Sequence, residues 1–127
     1  MAFQLGDLYE SAGKGPEAVA EFETALASNP SPALKVEAAY RLGRGKEQAG
    51  DAEGALRAYE LARGGSDRDD AWRLSAVARC AALYETRKEY AKAVTAYRDI
   101  MKNARDQELV AVAAGRVTQL ESRTAKR

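Results

Sequence analysis

The sequence predicts an all-helical chain: three repeated helix pairs followed by a seventh helix. Three observations carry that expectation. Alanine occurs 27 times in 127 residues, and with Leu, Glu, Arg and Lys it favours helix, while β-branched residues are scarce. The three prolines fall outside the long alanine-rich runs, where they would break a helix. Most decisive, a pattern of small and aromatic residues recurs. Ala18/Phe22/Ala25, Ala55/Tyr59/Ala62 and Ala93/Tyr97/Ile100 keep the same internal spacing. They recur with a period of about 37 residues, a length that marks stacked helical repeats.

Each element follows from local signals. The first helix is expected over about 2–12, stopped by Gly13. The second starts at Pro16, a favoured first helical position, and runs to about 28. Asn29-Pro30-Ser31-Pro32 is a firm break. The third covers about 33–48 and ends at Gly50; the fourth covers about 52–63, before Gly64-Gly65-Ser66. The fifth is expected over about 69–86, with Asp67, Asp69 and Asp70 near its start, where acidic groups suit the helix dipole. The sixth covers about 89–104. The seventh covers about 107–122, with Asp106 as its cap and an apolar stripe of Leu109, Val112, Ala113, Val117 and Leu120. Residues 123–127 are left as a polar tail, frayed from Ser122 onward.

The repeats align as Leu5-Gly6, Tyr9, Gly13, Ala18, Phe22, Ala25-Leu26 and Pro30; then Leu42-Gly43, Gly50, Ala55, Tyr59 and Ala62; then Cys80-Ala81, Tyr84, Tyr90, Ala93, Tyr97 and Ile100. This pattern resembles the tetratricopeptide repeat (TPR) family over about residues 2–105. The departures are Lys46 for the first-helix aromatic and Asp67 near the closing proline in repeat two. In repeat three, Ala81 and Lys88 replace glycines and Arg105 replaces the proline. The resemblance implies an α-solenoid of three TPR-like helix pairs (about 2–30, 36–67 and 74–105) with a capping helix at 107–122, together one superhelical domain over residues 1–122.

The period exceeds the roughly 34 residues usual in that family. The extra residues read as an added N-terminal turn on the third and fifth helices, placing Leu34 and Trp72 at equivalent positions. Both residues can seal the core between repeats, or Trp72 can anchor a partner. Gly115, one usual family period after Ala81, raises the alternative that the seventh helix is half of a fourth repeat. The long period and the stretch Asn29-Pro30-Ser31-Pro32-Ala33 with Ala38-Ala39-Tyr40-Arg41-Leu42-Gly43 also resemble two bacterial envelope TPR families: the coordinator of the Tol–Pal system and the outer-membrane assembly lipoprotein. Arginine over lysine, 13 to 7, suggests a bacterial genome rich in GC. The compartment is left open between bacterial cytoplasm and periplasm or cell envelope.

Composition narrows the chemistry. The chain has no histidine and one cysteine, Cys80, so the commonest general base and metal ligand are missing. Cys80 stands where the pattern wants a core residue, and a buried thiol is the expectation. Twenty basic against 19 acidic residues give a net charge of +1, which argues against a nucleic-acid or anionic-membrane partner. No apolar run is long enough to span a bilayer. Asp67, Asp69 and Asp70 lack EF-hand spacing, and neither glycine-rich turn is a phosphate loop. A non-catalytic protein with no cofactor and no metal is expected.

In the TPR family the first helices of each pair line a groove for a partner peptide or helix. By resemblance that groove comprises Asp7, Glu10, Tyr40, Arg41, Arg44, Glu47, Gln48, Arg79, Glu85, Arg116 and Gln119. The lysine–asparagine clamp that holds chaperone tails in some members is absent, its positions being Phe3, Asp7, Tyr40, Arg44, Ala78 and Ala82. Arg41, Arg44, Arg79 and Arg116 form either a basic stripe for an acidic segment or a set of ion pairs with Glu10, Glu47 and Glu85. Two alternatives stand beside this scaffold or adaptor reading. One is self-association or stacking on upstream repeats through an open N-terminal edge of Phe3, Leu5 and Leu8, as in a segment of a longer bacterial repeat protein. The other is a ligand-sensing regulatory domain.

Overall fold

The computed structural model describes residues 2–125, and every regular element among them is an α-helix. In order they are α1 (Ala2–Ser11), α2 (Gly15–Ala27), α3 (Pro32–Gln48), α4 (Ala52–Arg63), α5 (Ala71–Thr86), α6 (Tyr90–Asn103) and α7 (Gln107–Ala125). Each packs against its neighbours in the chain, and α3 also packs against α5. The added N-terminal turns of α3 and α5 are helical and carry Leu34 and Trp72.

The turn inside each pair is one structure built three times. Gly13, Gly50 and Lys88 adopt φ values of 75°, 83° and 61°. Gly13 N–H donates to the Glu10 carbonyl (3.1 Å) and Lys14 N–H to that of Tyr9 (2.8 Å). Gly50 and Asp51 repeat the pair on Glu47 and Lys46 (3.0 and 2.9 Å), and Lys88 and Glu89 on Glu85 and Tyr84 (2.9 Å each). A left-handed residue followed by this longer bond is the Schellman cap, which satisfies the last helical carbonyls. Glycine takes the conformation freely, whereas Lys88 crowds its Cβ against the backbone.

The N-termini of α3, α4, α5 and α7 are capped by side chains. Ser31 accepts from Leu34 N–H (3.4 Å), Asp51 from Gly54 N–H (2.9 Å), Asp70 from Arg73 N–H (3.0 Å) and Asp106 from Glu108 N–H (3.0 Å). Asp106 caps its helix as expected. The cap at Asp70 corrects the expected start of α5: Asp69 and Asp70 precede the helix. The end of α7 also differs, since the helix continues through residues 123–125, expected to be tail. Arg123 reaches the Tyr90 hydroxyl (3.2 Å) and the Thr124 hydroxyl donates to the Leu120 carbonyl (2.9 Å). These bonds tie the last turn to α6 and to itself. Lys126 and Arg127 lie outside the described residues.

Packing rests on small residues facing rings. Phe22 and Tyr59 are each 1% exposed, and burying such a ring stabilises by roughly 1.5–3 kcal/mol. A Cβ on Gly6 would lie 2.7 Å from the Phe22 ring, and one on Gly43 would lie 2.6 Å from the Tyr59 ring. Those helix pairs can approach only because these positions carry no side chain. In the third pair Ala81 is buried and Tyr97 packs partly exposed against its cluster. Cys80 is fully buried, as the pattern required. Desolvation pushes its pKa up to about 12, so the thiol stays protonated.

The shared turn gives a direct expectation. Lys88→Gly relieves the left-handed strain and should stabilise the protein by about 0.5–1 kcal/mol, read as a rise in the urea midpoint at unchanged slope. Gly50→Lys should shift it the other way.

Candidate functional site

The charged side chains of the odd-numbered helices meet as a series of rungs. In the first, Glu10 accepts from Arg44 Nη2 and Arg41 Nη1, both at 2.7 Å. In the second, Glu47 accepts from the Tyr59 hydroxyl (2.8 Å), Arg79 Nε (3.1 Å) and Arg79 Nη2. In the third, Glu85 accepts from the Tyr97 hydroxyl and from Arg116 Nη2, while Arg116 Nη1 holds Gln119. Each glutamate keeps one spacing to the ring of its own repeat: Glu10 precedes Phe22 as Glu47 precedes Tyr59 and Glu85 precedes Tyr97. The first rung lacks the hydroxyl because its ring is phenylalanine. It uses a second arginine instead.

The four arginines are therefore paired with Glu10, Glu47 and Glu85, and the stripe of unpartnered cations is not formed. Arg41 departs furthest from a groove position. Its side chain is 15% exposed and meets Asp7 (2.9 Å), Glu10 and Glu37 (3.1 Å). Its guanidinium lies between the rings of Phe3 and Trp72, 5.7 and 5.2 Å from their centroids. It is a strut joining α1, α3 and α5, because one guanidinium can satisfy several acceptors at once. The other rungs present the cation outward: Arg44, Arg79 and Arg116 side chains are 38%, 43% and 41% exposed, against 25%, 26% and 18% for Glu10, Glu47 and Glu85.

Between the first two rungs lies a cleft of about 270 Å³ lined by Tyr40, Arg44, Glu47, Gln48, Tyr59 and Arg79. Five of these are expected groove residues. Tyr59 is the addition: its ring belongs to the core, and its hydroxyl reaches Glu47 at the cleft wall. Tyr40 packs on Tyr59 and Trp72 at centroid distances of 5.8 and 5.6 Å, with the Arg44 guanidinium 5.6 Å from its ring centroid. Trp72 is half-buried in this cluster. Asp7 lies with Arg41 at one end of the row; Glu85, Arg116 and Gln119 lie at the other. Leu5 and Leu8 are exposed on α1, and Phe3 is less so. It is half-buried, packed edge-on against Phe22 at 5.8 Å. Gly115 is exposed, with nothing within 4 Å of an added Cβ. It therefore makes no contact like those of Gly6 and Gly43.

Sequence reasoning missed a buried charge network. Arg73, fully buried, binds Asp99 through Nη2 (2.6 Å) and donates to the carbonyls of Arg63 (2.8 Å) and Arg68 (2.9 Å). Arg63 and Asn103 also hold Asp99 (3.1 and 2.9 Å). Asp99 stands on the helix after that of Arg73, beyond any local pattern. The one available signal was a charge at a core-facing position of α5.

Both types of carboxylate are held ionised. Burial alone would raise the pKa of Glu47, but hydrogen bonds from Arg79 and Tyr59 outweigh it and leave it below the ordinary value. Asp99 behaves alike, with burial overcome by Arg73 and Asn103. Desolvation, then the hydrogen bond to Glu47, raises the Tyr59 pKa. Among the described residues no cluster of His, Cys, Asp or Glu is arranged to hold a metal ion. No helix there is long and apolar enough to cross a membrane. Neither a family model nor a curated protein matches the chain.

A folded pKa below the unfolded one stabilises the protein above the unfolded value, and that contribution is lost as pH falls through the folded one. Stability should therefore hold down to about pH 5 and fall below about pH 4. The acid slope of the urea midpoint should flatten in Glu47→Gln; an unchanged slope there would remove this carboxylate from the account.

Proposed function

We propose that this chain is a non-catalytic protein-interaction module of the tetratricopeptide-repeat type: a solenoid of three helix pairs closed by α7. Its partner is a protein segment docked on the face of α1, α3, α5 and α7. The threefold recurrence of one turn and one ion-pair rung, with a ring-on-glycine contact in the first two pairs, supports the repeat reading. Packing confined mainly to neighbouring helices does so as well, since repeat arrays are built from nearest-neighbour contacts. The docking reading rests on one observation above all: the cleft between Arg44 and Arg79 has an aromatic floor at Tyr40 and polar walls. Aromatic and arginine side chains are the types that carry binding energy at interfaces. By the same resemblance, we place the chain in a bacterial repeat protein that serves as scaffold or adaptor.

The test is a photo-activatable residue at Gln48, in the cleft, and another at Arg57, exposed on α4. Irradiation in extract of the source cell should give a discrete adduct from Gln48 that Tyr40→Ala abolishes, and none from Arg57. Identical adducts at both positions, or adducts indifferent to Tyr40→Ala, would remove the docking face.

A further inference from the structure

α7 repeats the ring-receiving register of α3 and α5 on a side that is exposed. Gly43, Ala81 and Gly115 occupy one position of that register, and Glu47, Glu85 and Gln119 stand one helical turn beyond. On α3 the same side carries Val36 and Ala39, and on α5 it carries Leu74 and Val77, all buried. The following helix lays Tyr59 or Tyr97 there and joins its hydroxyl to the glutamate. On α7 the equivalent residues Glu108, Ala111, Gly115 and Thr118 are exposed, and Val112 beside them is 60% exposed. The buried residues of α7, Ala113, Val117 and Leu120, lie on its opposite side. Two residues carry the comparison further. A glycine inside a helix is costly against alanine. Gly43 has its reason in the Tyr59 ring, 2.6 Å from where a Cβ would stand; at Gly115 nothing lies within 4 Å among the described residues. Gln119 Oε1 accepts from Arg116 as Glu47 accepts from Arg79, and a carbonyl oxygen keeps a second lone pair for a hydroxyl.

We propose that the exposed side of α7 seats a helix of another protein, with an aromatic ring on Gly115 between two small or aliphatic residues one turn to either side. The interface already built inside the chain defines that occupant. Ala55/Tyr59/Ala62 of α4 and Ala93/Tyr97/Ile100 of α6 are the sets presented to α3 and α5. Residues so spaced share one face of an amphipathic helix, the usual form of helix-in-groove recognition. The ring of the incoming helix covers Gly115, and a tyrosine hydroxyl there donates to Gln119. A folded second copy does not supply this ring: Phe22 and Tyr59 are each 1% exposed, and the Tyr97 hydroxyl is held by Glu85. The proposal rests on the repeat arrangement and not on the cleft at Tyr40, which other helices line.

The probe is a fluorescein-labelled peptide of residues 51–64, the α4 sequence, made with Arg57→Lys and a lactam from that lysine to Glu53. Both positions are exposed on α4, so the link leaves the ring side untouched. It holds a helix that so short a peptide does not form alone. Circular dichroism establishes the helicity of the peptide and of each chain variant. Fluorescence anisotropy on the full chain should show saturable binding. Tyr59→Ala in the peptide, or Gly115→Leu in the chain, should weaken it at least about tenfold. Tyr40→Ala at the cleft and Leu8→Ser on α1 should each change it by less than about twofold, being distant from the seat. Thr118→Arg, one turn further along the same side, replaces Gly115→Leu if that variant fails to fold. No saturable binding, or binding indifferent to Gly115→Leu or to the peptide's Tyr59→Ala, overturns the seat. Loss with Tyr40→Ala in place of Gly115→Leu would put the peptide in the cleft, overturning the seat and leaving the docking face standing. Loss with Leu8→Ser in its place would overturn the seat as well.

Discussion

The structure depends on the contact between a residue without a side chain and an aromatic ring on the next helix. Gly6 against Phe22 and Gly43 against Tyr59 bring the two helices of a pair together at a distance no larger residue permits. That contact also fixes the height of each ring along its partner helix. Tyr59 is held so that its hydroxyl meets Glu47, one turn beyond Gly43 on the same helix, and Tyr97 meets Glu85 in the same way. The carboxylate so positioned then receives an arginine from the next odd-numbered helix. In the second rung the interior contact thus sets the exterior ion pair.

The second means of joining helices is electrostatic and buried. Arg73 links α5 to Asp99 on α6 while its remaining donors close the end of α4 and the linker that follows. Removing one partner of such a buried pair typically costs about 3–5 kcal/mol, because the other charge is left without compensation. The exposed rungs contribute far less individually, since solvent and salt screen partly exposed pairs. The two sets of ion pairs therefore have different consequences. The Arg73 network fixes how α4, α5 and α6 sit together, while the rungs line the exposed face of the odd-numbered helices.

Most of the helical layout was legible in the sequence, because its causes are local. Turn residues, N-caps and the spacing of small and aromatic residues each act within a few positions of where they stand. Asp106 capped its helix, and Gly13 and Gly50 ended theirs as expected, both with positive φ. The start of α5 was misjudged because three nearby aspartates are equivalent in sequence, and only geometry selects Asp70 as the cap. The last turn of α7 was misjudged because its bond to Tyr90 reaches back to the start of the preceding helix. The candidate site was legible as a set of residues but not as an arrangement. The sequence named Arg41 and Arg44 together, yet one is a strut clasped by three carboxylates and two rings, and the other stands at the cleft. Pairing between side chains of successive repeats is not encoded by local spacing alone.

The ring contact can be tested by the sign of one substitution. Gly43 lies inside a helix, where Gly→Ala ordinarily stabilises by about 1 kcal/mol through backbone propensity. If the contact governs the pair, the new methyl overlaps a Tyr59 ring that is buried and tethered through its hydroxyl. Overpacking then costs about 1–3 kcal/mol. Urea unfolding of Gly43→Ala, beside Gly115→Ala where the space is open, gives the comparison. The account requires Gly43→Ala to destabilise and Gly115→Ala to stabilise. Stabilisation by both would contradict it.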